Sequence, residues 1–289
     1  MDFTVPTLAA FASTRVFTKP WREIPWEDKD RELQYVKNYK PHRDDVKHLR
    51  FLLHGPVGAG KSSFINSVES ALRSRITGRS LVEANASESF TKRYKTYKFQ
   101  KGQPGDFYPF VFNDTMGLEM QHGGVHPKDI KLAMKGHVKD GYTFHPGSKL
   151  SDDSKYYNTE PTLNDKVHVL VYVVPADKAA LLTESCMKKI KDIRRMACEL
   201  GIPQLAVLTR IDLACPLIEK DLKNVYKSKY LKEMMEKFSY LVGIPMNYIF
   251  PVKNYSEEIH VDSEVDSLIL SALRRIISSG EEFINNKEM

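Results

Sequence analysis

The sequence predicts an α/β fold, a mostly parallel central sheet with helices on both faces. Three observations carry this. From residue 48 onward, short apolar runs alternate with segments of helical periodicity, the order that builds a parallel sheet from crossover units. One run, 166–174 (KVHVLVYVV), is a strong strand signal because of its β-branched content. A glycine-rich loop, Gly55 to Gly60, stands between one strand-like run and one helical run.

Taken in order, residues 1–47 are expected to form an arm that packs on a main domain at 48–289. Both tryptophans, Trp21 and Trp26, directly follow prolines, Pro20 and Pro25. Proline drives the residue before it out of the helical region, so this stretch should run extended. Two large rings on an extended segment need a surface to cover. A short helix is expected at 29–39, closed by Pro41. Residues 50–54 (RFLLH) read as a buried strand and 61–73 as a helix. Residues 93–99 and 108–113 read as further strands. The connection 118–165 holds one good helix candidate, 127–138, and a connection this long suggests a lid or an insertion. Residues 178–200 have apolar positions at spacings of three and four, ended by Gly201 and Pro203. A strand at 204–209, a helix at 220–241 and a strand at 248–252 follow. The last helix should run from about Glu264 to Phe283, with Ser263 and Asp266 placed like a capping pair.

Composition narrows the class. The chain has 289 residues, 42% hydrophobic and 28% charged, enough apolar content for a core. Predominant disorder is excluded. The longest nearly apolar run, 167–176, is far short of the ~20 residues of a spanning helix, so no transmembrane segment is expected. Residues 1–14 show neither a basic region nor a long apolar region, and no secretory signal is expected. The three cysteines, Cys186, Cys198 and Cys215, are odd in number and widely spaced, which suits reduced thiols in a cytoplasmic protein. The formal charge is +6. Segment 71–101, with eight basic and two acidic residues, equals the whole excess. Such a segment attracts polyanions, or is simply a solvated surface. Nothing matches a nucleic-acid-binding module, so nucleic acid is not an expected partner.

The chemistry lies in four motifs. Gly55-Pro56-Val57-Gly58-Ala59-Gly60-Lys61-Ser62 matches G-x-x-x-x-G-K-[ST]. Its backbone N–H groups, with those of Ser62 and Ser63 at the helix start, can converge on phosphate oxygens. Lys61 would reach the β- and γ-phosphates, and Ser62 would hold Mg²⁺. Asp114-Thr115-Met116-Gly117 ends a predicted strand. Asp114 suits a water-mediated Mg²⁺ contact, and Gly117 allows a backbone N–H to approach a γ-phosphate. A second hydroxyl ligand is expected between the first helix and the second strand, with Thr91 the candidate and Ser87 and Ser89 its rivals. Thr209-Arg210-Ile211-Asp212 fits the [NT]-[KR]-x-D pattern that reads guanine. The Asp212 carboxylate can accept from N1–H and N2–H₂, and the head of Arg210 can stack over the ring. Val252-Lys253-Asn254-Tyr255-Ser256 follows the last strand, where backbone N–H groups would approach guanine O6. All four motifs follow predicted strands, and in open α/β sheets ligands bind outside the carboxyl ends of strands. The expected ligand is therefore GTP or GDP with Mg²⁺.

The phosphate loop LLHGPVGAGKSSFINSV, the segment RYKTYKF, the D-T-M-G turn, P-W-R at 20–22 and the tail VKNYSEEIHVDSEVDSLILSALRRI resemble the interferon-induced protein 44-like family. The resemblance covers most of the chain. It implies a P-loop NTPase fold of the Ras-like G-domain kind, in cytoplasmic, interferon-inducible proteins linked to antiviral immunity. Longer members carry an additional N-terminal domain, for which no counterpart is expected here. Expected partners are then guanine nucleotide, a second copy of the chain as a homodimer, or an immune-signalling protein.

Two alternatives stay open: an adenine-nucleotide ATPase or kinase, and a non-hydrolysing interaction scaffold. Small Ras-like enzymes place a glutamine directly after D-x-x-G to orient water, and here that position is Leu118. The phosphate loop also lacks an arginine. Slow hydrolysis by the isolated chain is expected, with Arg93 and Lys95 as candidate donors in trans. The basic helix around Met187 could meet a membrane or an acidic partner, or simply face solvent. His122 and His126 flank Gly123 and Gly124 and are not expected to form a zinc site.

Overall fold

The computed structural model describes residues 16–78, 93–118, 125–145, 147–181 and 183–287. Thr91, Ser87, Ser89 and His122 lie outside the described residues.

Six strands form one sheet: β1 (Leu49–His54), β2 (Lys95–Gln100), β3 (Phe107–Asp114), β4 (Val169–Pro175), β5 (Gln204–Thr209) and β6 (Ile249–Pro251). Their spatial order is β2-β3-β1-β4-β5-β6. β2 runs antiparallel to β3, and every other pairing is parallel. This is the mostly parallel sheet that the alternation predicts. β1 and β4 sit centrally, and every residue of β4 is buried. Strands covered on both faces read as continuous apolar runs, as VLVYVVP does.

The helices that matter here are α1 (Lys29–Asn38), α2 (Lys61–Arg73), α3 (Pro127–Met134), α4 (Glu184–Glu199), α5 (Lys229–Val242) and α6 (Ser263–Asn285). α6 lies across β1 and β4. A Cβ on Gly280 would meet Leu49, Phe51 and Val169 side chains at 3.1–3.3 Å, so helix and sheet meet closely there. α2 and α1 pack beside α6 on this face. Residues of opposite parity point the other way. Tyr172 and His54 meet with ring centroids 6.2 Å apart, and the Tyr172 hydroxyl feels Arg194 and Cys198 of α4. α3, α4 and α5 pack in sequence along that second face.

Residues 16–28 lie on the α5 and β6 side. Trp21 N–H donates to Tyr226 O at 3.0 Å, and the two rings meet edge to face with centroids 5.1 Å apart. The Arg22 guanidinium donates to Ile249 O at 2.7 Å and to Met246 O, and lies 5.0 Å from the Trp21 centroid. α1 is held on α6 by ion pairs from Arg274 to Glu32 and from Lys29 to Asp266.

Several boundaries shift from the sequence expectation, each for a local reason. The run at 166–174 becomes strand only from Val169, because Val167 N–H is committed to Met134 O and the His168 ring to Arg50 N and Leu163 O. α4 starts at Glu184, where the Thr183 side chain caps Cys186 N. The helix expected from 220 begins at Lys229, capped by Ser228, after two short turns at Pro216–Lys220 and Leu222–Asn224. The capping pair expected of Ser263 and Asp266 is corrected. Asp262 caps α6 through Glu264 N and Val265 N, and Asp266 turns inward to the Tyr255 hydroxyl at 2.7 Å.

Candidate functional site

The glycine-rich loop leaves the end of β1 so close to β4 that a Cβ on Gly55 (φ +155°) would sit 2.0 Å from Val173 O. Only glycine allows this approach. Gly58 (φ +71°) turns the loop in open space, and Gly60 precedes the first residue of α2. α2 begins at Lys61, so the amides of Lys61, Ser62 and Ser63 lie among the N-terminal donors that a helix cannot satisfy internally.

Lys61 is buried and its ammonium donates to Gly55 O at 3.2 Å and Pro56 O at 3.1 Å. Burial pushes its pKa down, and the nearby Asp114 carboxylate opposes that. Asp114, buried at the end of β3, accepts from Ser62 Oγ at 2.7 Å. Thr115 Oγ1 donates to Leu53 O at 2.9 Å, which ties this turn to β1. Gly117 lies directly on the loop: a Cβ there would be 2.7–2.8 Å from Cγ2, Cα and N of Val57.

At the other end of the loop, Thr209 Oγ1 donates to Ala59 O at 2.7 Å, with both residues buried. Arg210 follows in the left-handed region (φ +57°) and opens the short helix Ile211–Ala214, which carries Asp212. The Arg210 guanidinium lies 3.9 Å from Asp177. Asn254 Nδ2 donates to Gly60 O at 3.3 Å, and its buried Oδ1 has no hydrogen-bond donor among the described residues. Lys253 pairs with Glu258 at 2.8 Å. Burial would lower the Lys253 pKa, but the hydrogen bond to Glu258 and the charges of Glu258 and Asp212 outweigh it and the net shift is upward. Glu258 is correspondingly pulled down to about 2, its own burial overcome by Lys253 and by backbone donors. Tyr255 N–H donates to Ser67 Oγ of α2 at 3.0 Å, which fixes this loop against the same helix.

Four segments far apart in sequence thus meet at one end of the sheet. Ser62 links the phosphate loop to Asp114, Ala59 links it to Thr209, and Gly60 links it to Asn254. Sequence reasoning missed two acids, Asp177 beside Arg210 and Glu258 beside Lys253. Both reach their partners across irregular backbone, where no periodicity signals a pairing. Arg93 pairs with Thr143 in an isolated bridge, and Lys95 sits over the Tyr97 ring at 4.9 Å. On the basic helix, Arg194 donates to Gly243 O at 2.5 Å. A cavity of about 950 Å³ opens at the opposite end of the sheet, lined partly by Met134, Leu163, Val167, Ile202 and Phe283, and contains none of the four motifs.

The chain is 32% identical to human interferon-induced protein 44-like over 261 residues, 90% of this chain and 58% of that protein. It is 34% identical to mouse interferon-induced protein 44 over 254 residues, 88% of this chain and 60% of that protein. Over most of its length the chain is a homologue of interferon-induced protein 44. It spans about three-fifths of the length of these relatives. No family model matches it. Among solved structures it is similar to Toc33 from Arabidopsis thaliana in complex with GDP and Mg²⁺ (TM-score 0.46, 14% identity, 90% of this chain and 93% of that chain). It is also similar to the elongation factor SelB from Methanococcus maripaludis in complex with the GTP analogue GppNHp (TM-score 0.41, 11% identity, 86% and 36%).

Proposed function

We propose that the chain binds guanine nucleotide with Mg²⁺ and acts as a nucleotide-dependent switch with slow GTP hydrolysis, in an interferon-induced antiviral or innate immune response. The observation that carries the reading is the convergence on one loop of Ser62–Asp114, Thr209–Ala59 and Asn254–Gly60. The first pair brings a hydroxyl and a carboxylate together, hard oxygen donors that suit Mg²⁺. Among the described residues no group of three His, Cys, Asp or Glu side chains could cage a metal. One carboxylate plus substrate phosphates is the usual way Mg²⁺ is held. Bound there, Mg²⁺ would neutralise phosphate charge, with Ser62 and Asp114 holding it. Lys61 would exchange its two carbonyl partners for phosphate oxygens, which restores a full counter-charge to a buried cation.

At the other pole Asp212 would accept from both guanine donors, and Arg210 would cover the ring. The side chain of Leu118 cannot orient water, which supports slow turnover. A faster reaction would need a group from a partner, with Arg93 and Lys95 as the candidate donors in trans.

Competition of GTP and ATP for the full-length chain, read by calorimetry with Mg²⁺, tests the reading. GTP is expected to bind at least tenfold more tightly. Asp212→Asn is expected to weaken GTP by roughly tenfold or more, as a charge-assisted hydrogen bond of about 1.5–3 kcal/mol is lost, and to favour a xanthosine nucleotide. Unchanged GTP affinity in that variant removes the base assignment. A preference for ATP supports an adenine-nucleotide enzyme, and no heat with either nucleotide leaves an interaction scaffold.

A further inference from the structure

Leu118, one residue past Gly117, lies alongside the start of the phosphate loop and forms a parallel bridge with Pro56. Val57 N–H donates to Leu118 O at 3.0 Å, and Leu118 N–H donates to Gly55 O at 3.0 Å. Leu118 is fully buried, and Gly117 is packed against Val57 too closely for any side chain. The Asp114–Gly117 turn is therefore buttoned to the loop by two backbone hydrogen bonds and a glycine contact.

We propose that this bridge makes the site select a nucleoside diphosphate over a triphosphate, and that the Leu118 carbonyl is the deciding group. The inference rests on the reading of this loop as a nucleotide site. Two phosphates can be held at the helix end of the loop, by the amides from Gly58 to Ser63 at the start of α2. A third phosphate extends toward the beginning of the loop, where Val57 and Gly117 stand. There the Leu118 carbonyl already accepts the Val57 N–H, and a phosphate oxygen is also an acceptor. Two acceptors cannot share one amide hydrogen at full strength, and unlike a side chain the carbonyl cannot rotate away alone. A third phosphate therefore has to break both backbone bonds and lift Gly117 off Val57.

A diphosphate leaves the bridge in place. Lys61 does not discriminate, because it must leave Gly55 O and Pro56 O for either ligand. Opening the bridge also releases Leu118 from burial, and Leu118 is joined through the chain to α3 at Pro127.

Calorimetry of the full chain with Mg²⁺ and either GDP or the slowly hydrolysed analogue GTPγS tests this. GTPγS is expected to bind at least tenfold more weakly than GDP. Gly117→Ala puts a methyl group into Val57 and is expected to hold the turn off the loop, so that the ratio falls below about threefold. Amide hydrogen exchange of the wild-type chain gives a second readout that needs no variant. The Leu118 amide is expected to exchange slowly with GDP and at least tenfold faster with GTPγS. Equal affinities in the wild type, or equally slow Leu118 exchange with both nucleotides, overturns the proposal while leaving nucleotide binding intact. Failure to bind either nucleotide overturns the underlying reading of the loop.

Discussion

At the scale of single residues, the loop is a set of backbone positions each with one permitted solution. Gly55 and Gly58 both have positive φ, yet they face different constraints. A methyl group on Gly55 meets the Val173 carbonyl at 2.0 Å, and that carbonyl belongs to the central strand β4. A methyl group on Gly58 meets nothing within 4 Å. Gly58→Ala is therefore expected to cost about 1 kcal/mol, the penalty of a left-handed backbone alone. Gly55→Ala must displace a strand as well, and is expected to cost more than about 4 kcal/mol or to prevent folding. Urea unfolding of the two variants checks this, and equal destabilisation would contradict the geometry. The gathering of these glycines with Lys61, Ser62, Asp114 and Asp212 at one end of the sheet was legible in the sequence, because each motif directly follows a strand-like run and fixes its residue types at a set spacing. The Leu118–Pro56 bridge was not, since backbone amides pair whatever side chains they carry. Nor was the inward turn of Asp266, which depends on Tyr255 and Lys29 arriving from elsewhere in the chain.

At the scale of elements, strand and helix periodicity located every strand and long helix among the described residues but not their ends. Ends are set by caps and by single hydrogen bonds, such as Ser228 at α5 and the His168 ring ahead of β4. The direction of β2 was equally hidden, because alternation along a strand says nothing of which way its neighbour runs. The segment around Trp21 is the clearest gain from the structure. Trp21 packs edge-on against Tyr226, and Arg22 supplies donors to two carbonyls near β6, Met246 O and Ile249 O. Trp21→Ala is expected to destabilise the chain by about 2–3 kcal/mol, somewhat below the value for a fully buried tryptophan. Arg22→Ala leaves the Ile249 carbonyl without this donor, while Met246 O keeps the Ile249 N–H, and is expected to cost about 1.5–3 kcal/mol. The two residues share one contact, so the double variant should fall short of the sum. Additive losses in urea titrations would show that Trp21 and Arg22 act separately.

At the scale of the whole molecule, three imidazoles tie stability to pH. His54 is wholly buried at the end of β1, neither ring nitrogen has a hydrogen-bond partner among the described residues, and burial with the nearby Lys61 charge holds its pKa down at about 3. His168 is held neutral by geometry. Its Nδ1 accepts from Arg50 N–H at 2.9 Å, which leaves Nε2–H to donate to Leu163 O at 2.9 Å, and burial lowers its pKa to about 4. His48 is lowered to about 4 as well, by burial and then by Arg50, but it is partly exposed and contributes less. Each value lies below the ordinary 6.5, so the unfolded chain takes up these protons first as pH falls. The stabilisation is complete above about pH 6.5, declines as pH drops toward 4 and is spent once the folded values are passed. At pH 5, His54 and His168 would each have lost about 2 kcal/mol. Asp129 and Asp266, both raised by burial, act in the opposite sense. Unfolding at pH 7.5 and pH 5 is therefore expected to differ by about 4 kcal/mol, or by roughly 8–16 °C in Tm for a chain of this size. His54→Leu, which fills the same space without a titrating group, should remove about half of that difference. Equal stability at the two pH values would mean that His54 is solvated or paired in solution, and the packing of β1 against Tyr172 beneath the phosphate loop would have to be redrawn.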